Sequence, residues 1–165
     1  MKFSFIFVLI FAITVGAYYS AKDKMSAVPD LRALHLGMSK DELKIAFGAP
    51  VHKHLNQLTY LFADSAQLII TLRDQEVASA QLKFHRPLKI SDPQIKQLNL
   101  VQMEFKNNDR DLSWFFAGDP EEGLIYKITT NGVIESITWV PPFSYQGEAP
   151  KRVGTLLRDF QDKTL

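Results

Sequence analysis

LGMSKDELKIAFGAP, residues 36–50, is the stretch on which the fold turns. Ser39 is followed three positions later by Glu42, the spacing of a capping box, in which each side chain satisfies a free backbone N–H of a first helical turn. Met38 and Leu43 stand where a hydrophobic staple closes, and Leu43, Ala46 and Phe47 make one apolar stripe. Gly48 ends the helix and Pro50 follows it. The same grammar recurs at KISDPQIKQLNL, residues 89–100, with Ser91 as N-cap, Gln94 at the box position, and Ile90 and Ile95 as the staple. Pro93 falls in the first turn, where proline is tolerated.

Strands with alternating apolar residues follow each helix. Leu58, Tyr60 and Phe62 in the first half correspond to Leu112, Trp114 and Phe116 in the second, and Leu68, Ile70 and Leu72 to Leu124, Tyr126 and Ile128. A turn succeeds each second strand, at Asp74-Gln75 and at Asn131-Gly132, the latter a type I′ signal. Closing strands run from Val77 to Phe84 and from Val133 to Val140, and an unmatched strand spans Val101 to Lys106. The pattern predicts an α+β fold class: two helix-plus-antiparallel-sheet repeats, residues 34–88 and 89–142. Residues 143–165 then form a loop and a short amphipathic helix marked by Val153, Leu156, Leu157 and Phe160.

Before the repeats stand one Lys, an uncharged and largely apolar run from Phe3 to about Val15, and small residues. That is the shape of a signal peptide within residues 1–21, with cleavage after Ala17. The alternative is a retained anchor over residues 3–19, with Tyr18 and Tyr19 at the interface. Either outcome exports the remainder, through a tether at 22–33, to a periplasmic or other extracytoplasmic location. The 165 residues hold 19 Lys plus Arg against 18 Asp plus Glu, and Lys2 is the only charged residue of the first 21. The exported part is therefore neutral, which argues against nucleic acid as a partner. No cysteine is present, which removes disulfides, thiolate metal sites and a cysteine nucleophile.

Residues 36–50, together with the Tyr-bearing strand LTYLF, resemble the motif of the SmpA/OmlA (BamE-like) family. In that family a Gly-Met-Ser/Thr turn starts a helix, Gly-x-Pro ends it, and an aromatic strand follows. Gly37, Met38, Ser39, Gly48, Pro50 and Tyr60 match those places, and the resemblance covers Leu36 to Phe84. The family's acylated cysteine has no counterpart here, and the second copy is an addition. Tandem units of this kind resemble the fold of the β-lactamase inhibitor protein, which is a binding protein. The resemblance implies a non-enzymatic protein-binding or scaffolding module of the cell envelope, related to outer-membrane assembly and maintenance factors.

Chemical motifs are sparse. His52 and His54 lie two apart, a spacing that suits Zn or Cu only with a further ligand, and none stands nearby in sequence. Ser65, Ser79 and Ser136 lie in no nucleophile elbow. Asp41-Glu42 suits a helix N-terminus. Asp109-Asp111 and Glu121-Glu122 suit solvated turns. No catalytic residue, cofactor or metal is expected. The alternatives to protein binding are a small-ligand or lipid-binding periplasmic protein and an enzyme of unrecognised type. By strand parity, the face opposite the helices carries Ile69, Phe115 and Ile125 as candidate anchors. Phe143 and Tyr145, after Pro141-Pro142, form a second candidate surface.

Overall fold

The computed structural model describes residues 29–62, 66–103 and 113–164, so the predicted signal or anchor segment lies outside the described residues. Its frame is one antiparallel sheet of nine strands. They are β1 (His52–His54), β2 (Gln57–Phe62), β3 (Ala66–Arg73), β4 (Glu76–Lys89), β5 (Asn99–Met103), β6 (Trp114–Asp119), β7 (Leu124–Thr129), β8 (Val133–Trp139) and β9 (Lys151–Arg152). The helices are α1 (Lys40–Phe47), a single turn α2 (Pro93–Lys96) and α3 (Val153–Thr164). The spatial order is β1-β2-β3-β4-β8-β7-β6-β5-β9.

This overturns the expectation of two helix-plus-sheet repeats. The strands do not form two sheets, because β4 pairs with β8 through Ala80–Trp139, Gln81–Thr138, Leu82–Ile137 and Lys83–Ser136. Nor does the second half have a helix to match α1. Its capping residue is Asp92 rather than Ser91, no side-chain cap bond forms, and Pro93 opens a helix of four residues. The Asp92 carboxylate instead accepts from the backbone N–H of Lys89 at 3.0 Å. A BamE-like arrangement is therefore not what these strands build.

Around α1 the local reading and the structure agree. Ser39 and Glu42 close the capping box, and Gly48 terminates the helix at φ +81°. Leu43 is fully buried and joins a core with Met38, Leu58, Tyr60, Leu68, Ile70 and Leu82. The 3-10 turn Leu31–Ala33 adds Leu31 to that core, so the chain is already packed where a tether was expected. Leu55 and Asn56 make the β1–β2 turn, with Leu55 at φ +47°. The Asn131-Gly132 connection is a three-residue loop, Thr130 to Gly132, in which Gly132 has positive φ (+73°) and Asn131 does not. It is thus not the two-residue type I′ turn predicted from the dipeptide.

Pairing registers assign every strand residue to a face. Leu58, Tyr60, Leu68, Ile70, Ala80, Leu82, Tyr126, Ile128, Ile134 and Trp139 share the face that packs on α1 and α3. On β6 that face carries Phe115 and Ala117, opposite Ile128 and Tyr126. Phe115 stacks on Phe160 of α3, ring centroids 4.8 Å apart. The expected parity of β6 is therefore reversed, and Phe115 is a core residue.

Candidate functional site

The second sheet face has no helix on it among the described residues. Its centre is made by Ile69 beside Thr59 and Gln81, and by Ile125 beside Thr138 and Gly118. Ile69 and Ile125 are half-buried, as expected of residues on a sheet face without a covering layer. Phe115 is only 5% exposed on the other side and cannot serve as an anchor. Trp114 and Phe116 take its place, edge to face at 4.9 Å. The Lys127 ammonium lies 4.7 Å from the Trp114 ring centroid and pairs with Glu135 at 2.7 Å. This face is a Thr- and Gln-rich plane with aliphatic and aromatic islands, the mixture found in protein interfaces.

Toward β5 the same face changes character. Val101 and Met103 stand opposite Gly118 and Phe116 and are buried. The chain from Phe143 to Pro150 runs beside them and borders a hollow of about 680 Å³ with Val101, Gly118, Asp119 and Glu121. The Phe143 N–H donates to the Pro120 carbonyl at 3.1 Å. The Tyr145 hydroxyl donates to the Gln102 carbonyl at 3.2 Å. Lys151 ties this segment to α3 by pairing with Glu148 at 2.7 Å and Asp159 at 3.0 Å. Its hydrogen bond to Glu148, then that to Asp159, pushes the Lys151 pKa up, and the same Lys151 bond lowers that of Glu148.

A third surface was not anticipated. The C-terminal end of α1, the 48–51 connection and the distal half of β2 enclose a groove of about 320 Å³ lined by Ile45, Phe47, Val51, Leu61 and Phe62. Ile45 is 87%, Val51 57% and Leu61 50% exposed. One signal was present in the sequence: Ile45 stands off the Leu43/Ala46/Phe47 stripe, on the side of α1 that should be polar.

The residues matched to the family motif hold backbone and core positions. Gly37 has φ +80°, and the Met38 carbonyl accepts from the Val77 N–H at 3.1 Å. Pro50 is half-buried, and Tyr60 lies under Phe47 with ring centroids 6.0 Å apart. His52 and His54 share a face of β1 and are exposed. No group of three or more His, Cys, Asp or Glu that could hold a metal ion occurs among the described residues. Of the acidic pair Glu121-Glu122, Glu121 is exposed, while the Glu122 N–H donates to the Asp119 carboxylate at 3.3 Å and its own carboxylate lies 3.9 Å from Arg32. Asp109-Asp111 and Ser65 lie outside the described residues.

Comparison with known proteins adds little. No family description matches the chain, and no curated protein does. Among solved structures, the crystal structure of a cysteine-rich secretory protein from Staphylococcus aureus subsp. aureus Mu50 is similar at 12% identity and a TM-score of 0.38. The match covers 71% of this chain and 52% of that one, so the chain spans about half the length of that protein. A likeness of that size supports no argument about function. Among the described residues no helix is long and apolar enough to cross a membrane.

Proposed function

We propose that this protein is a non-enzymatic binding module of a bacterial cell envelope, exported by its N-terminal segment and presenting the helix-free sheet face to another envelope protein. The observation that supports this most is the one-sided packing: α1 and α3 lie on one face, and the other keeps Ile69, Ile125, Trp114 and Phe116 half-exposed within a polar plane. Aromatic and aliphatic islands with a polar rim are the anatomy of a partner-binding surface. The resemblance of residues 36–50 to outer-membrane assembly and maintenance factors points to the same compartment. The test has two arms. A reporter enzyme that is active only outside the cytoplasm, fused after Leu165, should be active. A photo-crosslinking side chain placed at Thr59 or Thr138 should capture one discrete envelope protein, and Ile69→Arg with Ile125→Arg should abolish capture in a folded protein. An inactive reporter, or capture indifferent to those substitutions, would refute the reading.

A second reading, a small-ligand binder, is favoured by the 680 Å³ hollow beside Phe143 and Tyr145, whose size lies in the range of ligand pockets.

A further inference from the structure

The β1–β2 ladder stops before β2 does. β1 is three residues long and its last pair is His52–Thr59, beyond which the Val51 N–H bonds the Thr59 carbonyl at 2.8 Å. Hydrogen-bonding direction alternates along a strand. The Asn56 carbonyl accepts from Leu72 N–H, so even-numbered positions of β2 face β3, and Thr59 faces outward to β1. Leu61 shares the parity of Thr59, so its N–H and C=O point off the sheet edge, with no strand beside them among the described residues. Native edges are normally blunted by lysine, proline or a bulge. This one instead presents a half-exposed leucine beside an apolar groove.

Three features specify what would fit. The open backbone pair at Leu61 selects an extended chain, because only a strand can meet an N–H and a C=O in that geometry. The groove between Ile45, Val51, Leu61 and Phe62 takes a large apolar side chain from alternate positions of such a strand. Charge sets the flanks: from Leu43 to Phe62 the chain has Lys44 and Lys53 and no carboxylate. The acids next along α1 are Asp41, one turn back from Ile45, and Glu42, which Ser39 holds in the capping box. We propose that the open edge of β2 binds an extended, apolar segment with acidic flanks from a partner protein, which adds as a strand beside Leu61 and seats a side chain in the groove. Leu61 lies at the border of the helix-free face, four strands from Ile125, and the edge pairing does not depend on the centre of that face.

The test uses the full chain and a short synthetic peptide of alternating valine and threonine with glutamate at each end. The peptide should bind, and methylating the amide nitrogens of one of its edges should weaken binding about tenfold, the size of losing two backbone hydrogen bonds. Leu61→Pro removes the outward N–H, a place where an edge strand accepts proline, and should weaken binding similarly. Ile45→Asp, at an exposed helix position, should do so without touching the edge and serves if Leu61→Pro fails to fold. Ile125→Arg, on the other surface, should leave peptide binding unchanged. The proposal is overturned if the peptide does not bind, or if the methylated peptide binds as well as the parent. It is equally overturned if the edge proves to join two copies of this chain, seen as a dimer in sedimentation that Ile45→Asp dissolves.

Discussion

Ser39 and Glu42 hold the first turn of α1 reciprocally. The Ser39 N–H donates to the Glu42 carboxylate at 2.8 Å, the Ser39 hydroxyl does so at 2.7 Å, and the Glu42 N–H returns to that hydroxyl at 3.4 Å. Ser39→Ala should cost about 1 kcal/mol in chemical denaturation, the usual loss for an N-cap. The Ser39 N–H, and then its hydroxyl, lower the Glu42 pKa. A depressed carboxylate stabilises the fold above its unfolded pKa and loses that contribution as pH falls through the folded value. Glu42→Gln should therefore flatten the acid limb of stability below about pH 4.3, read as a smaller shift of the urea midpoint. Tyr126 works in the opposite direction along the scale, since burial pushes its hydroxyl up to about 12. Its contribution is intact below about pH 10 and is lost as pH rises toward 12, so Tyr126→Phe should unfold less readily in alkali. The box at Ser39 was legible because capping is a contact between residues three apart. Tyr126 was legible only as apolar, since its shift comes from neighbours distant in sequence.

Among the elements, β6 shows where period-two reading loses its power. Trp114, Phe115 and Phe116 are consecutive aromatics, so either parity puts large apolar groups on the covered face. Matching β6 to β2 chose Trp114 and Phe116. The chain chose Phe115, because Ala117 on the same face leaves room there and α3 supplies Phe160 as its cover. The covering helix was itself predictable from Val153, Leu156 and Phe160, which are all buried. What it covers was not, because α3 and β6 are brought together by the sheet and not by local sequence. Phe160→Ala should cost about 3–5 kcal/mol, the range for deleting a buried phenylalanine, and should expose Phe115 to hydrophobic dye. A loss below about 1 kcal/mol would mean that α3 does not secure that end of the core. The second capping-box motif failed for a local reason. Asp92 takes the N-cap position beside Ser91 but turns its carboxylate to the Lys89 N–H, and Pro93 follows, so the helix begins one residue late without a side-chain cap and ends within a turn.

At the scale of the molecule, strand patterns report which side of a residue is apolar but not which strand lies next to it. Two compact repeats and one continuous sheet make the same demand on alternation, and only the β4–β8 pairing separates them. That pairing places Trp139 against Ala80 and Leu124, 1% exposed, at the middle of the nine strands. Burial of Leu82, Ile134 and Trp139 there joins the core under α1 to the core under α3, since all belong to one cluster with Leu43 and Phe160. A seam of apolar contacts across a shared ladder couples the stability of its two sides. The two tryptophans allow a direct test, because Trp114 is half-exposed on the helix-free face while Trp139 is in the seam. In Trp114→Phe, fluorescence reports the seam alone and far-ultraviolet circular dichroism reports all strands. The two probes should trace one urea transition with the same midpoint and slope. Two midpoints, with dichroism lost in stages on either side of the fluorescence change, would show that the halves unfold independently and that the β4–β8 pairing does not bind them into one cooperative unit.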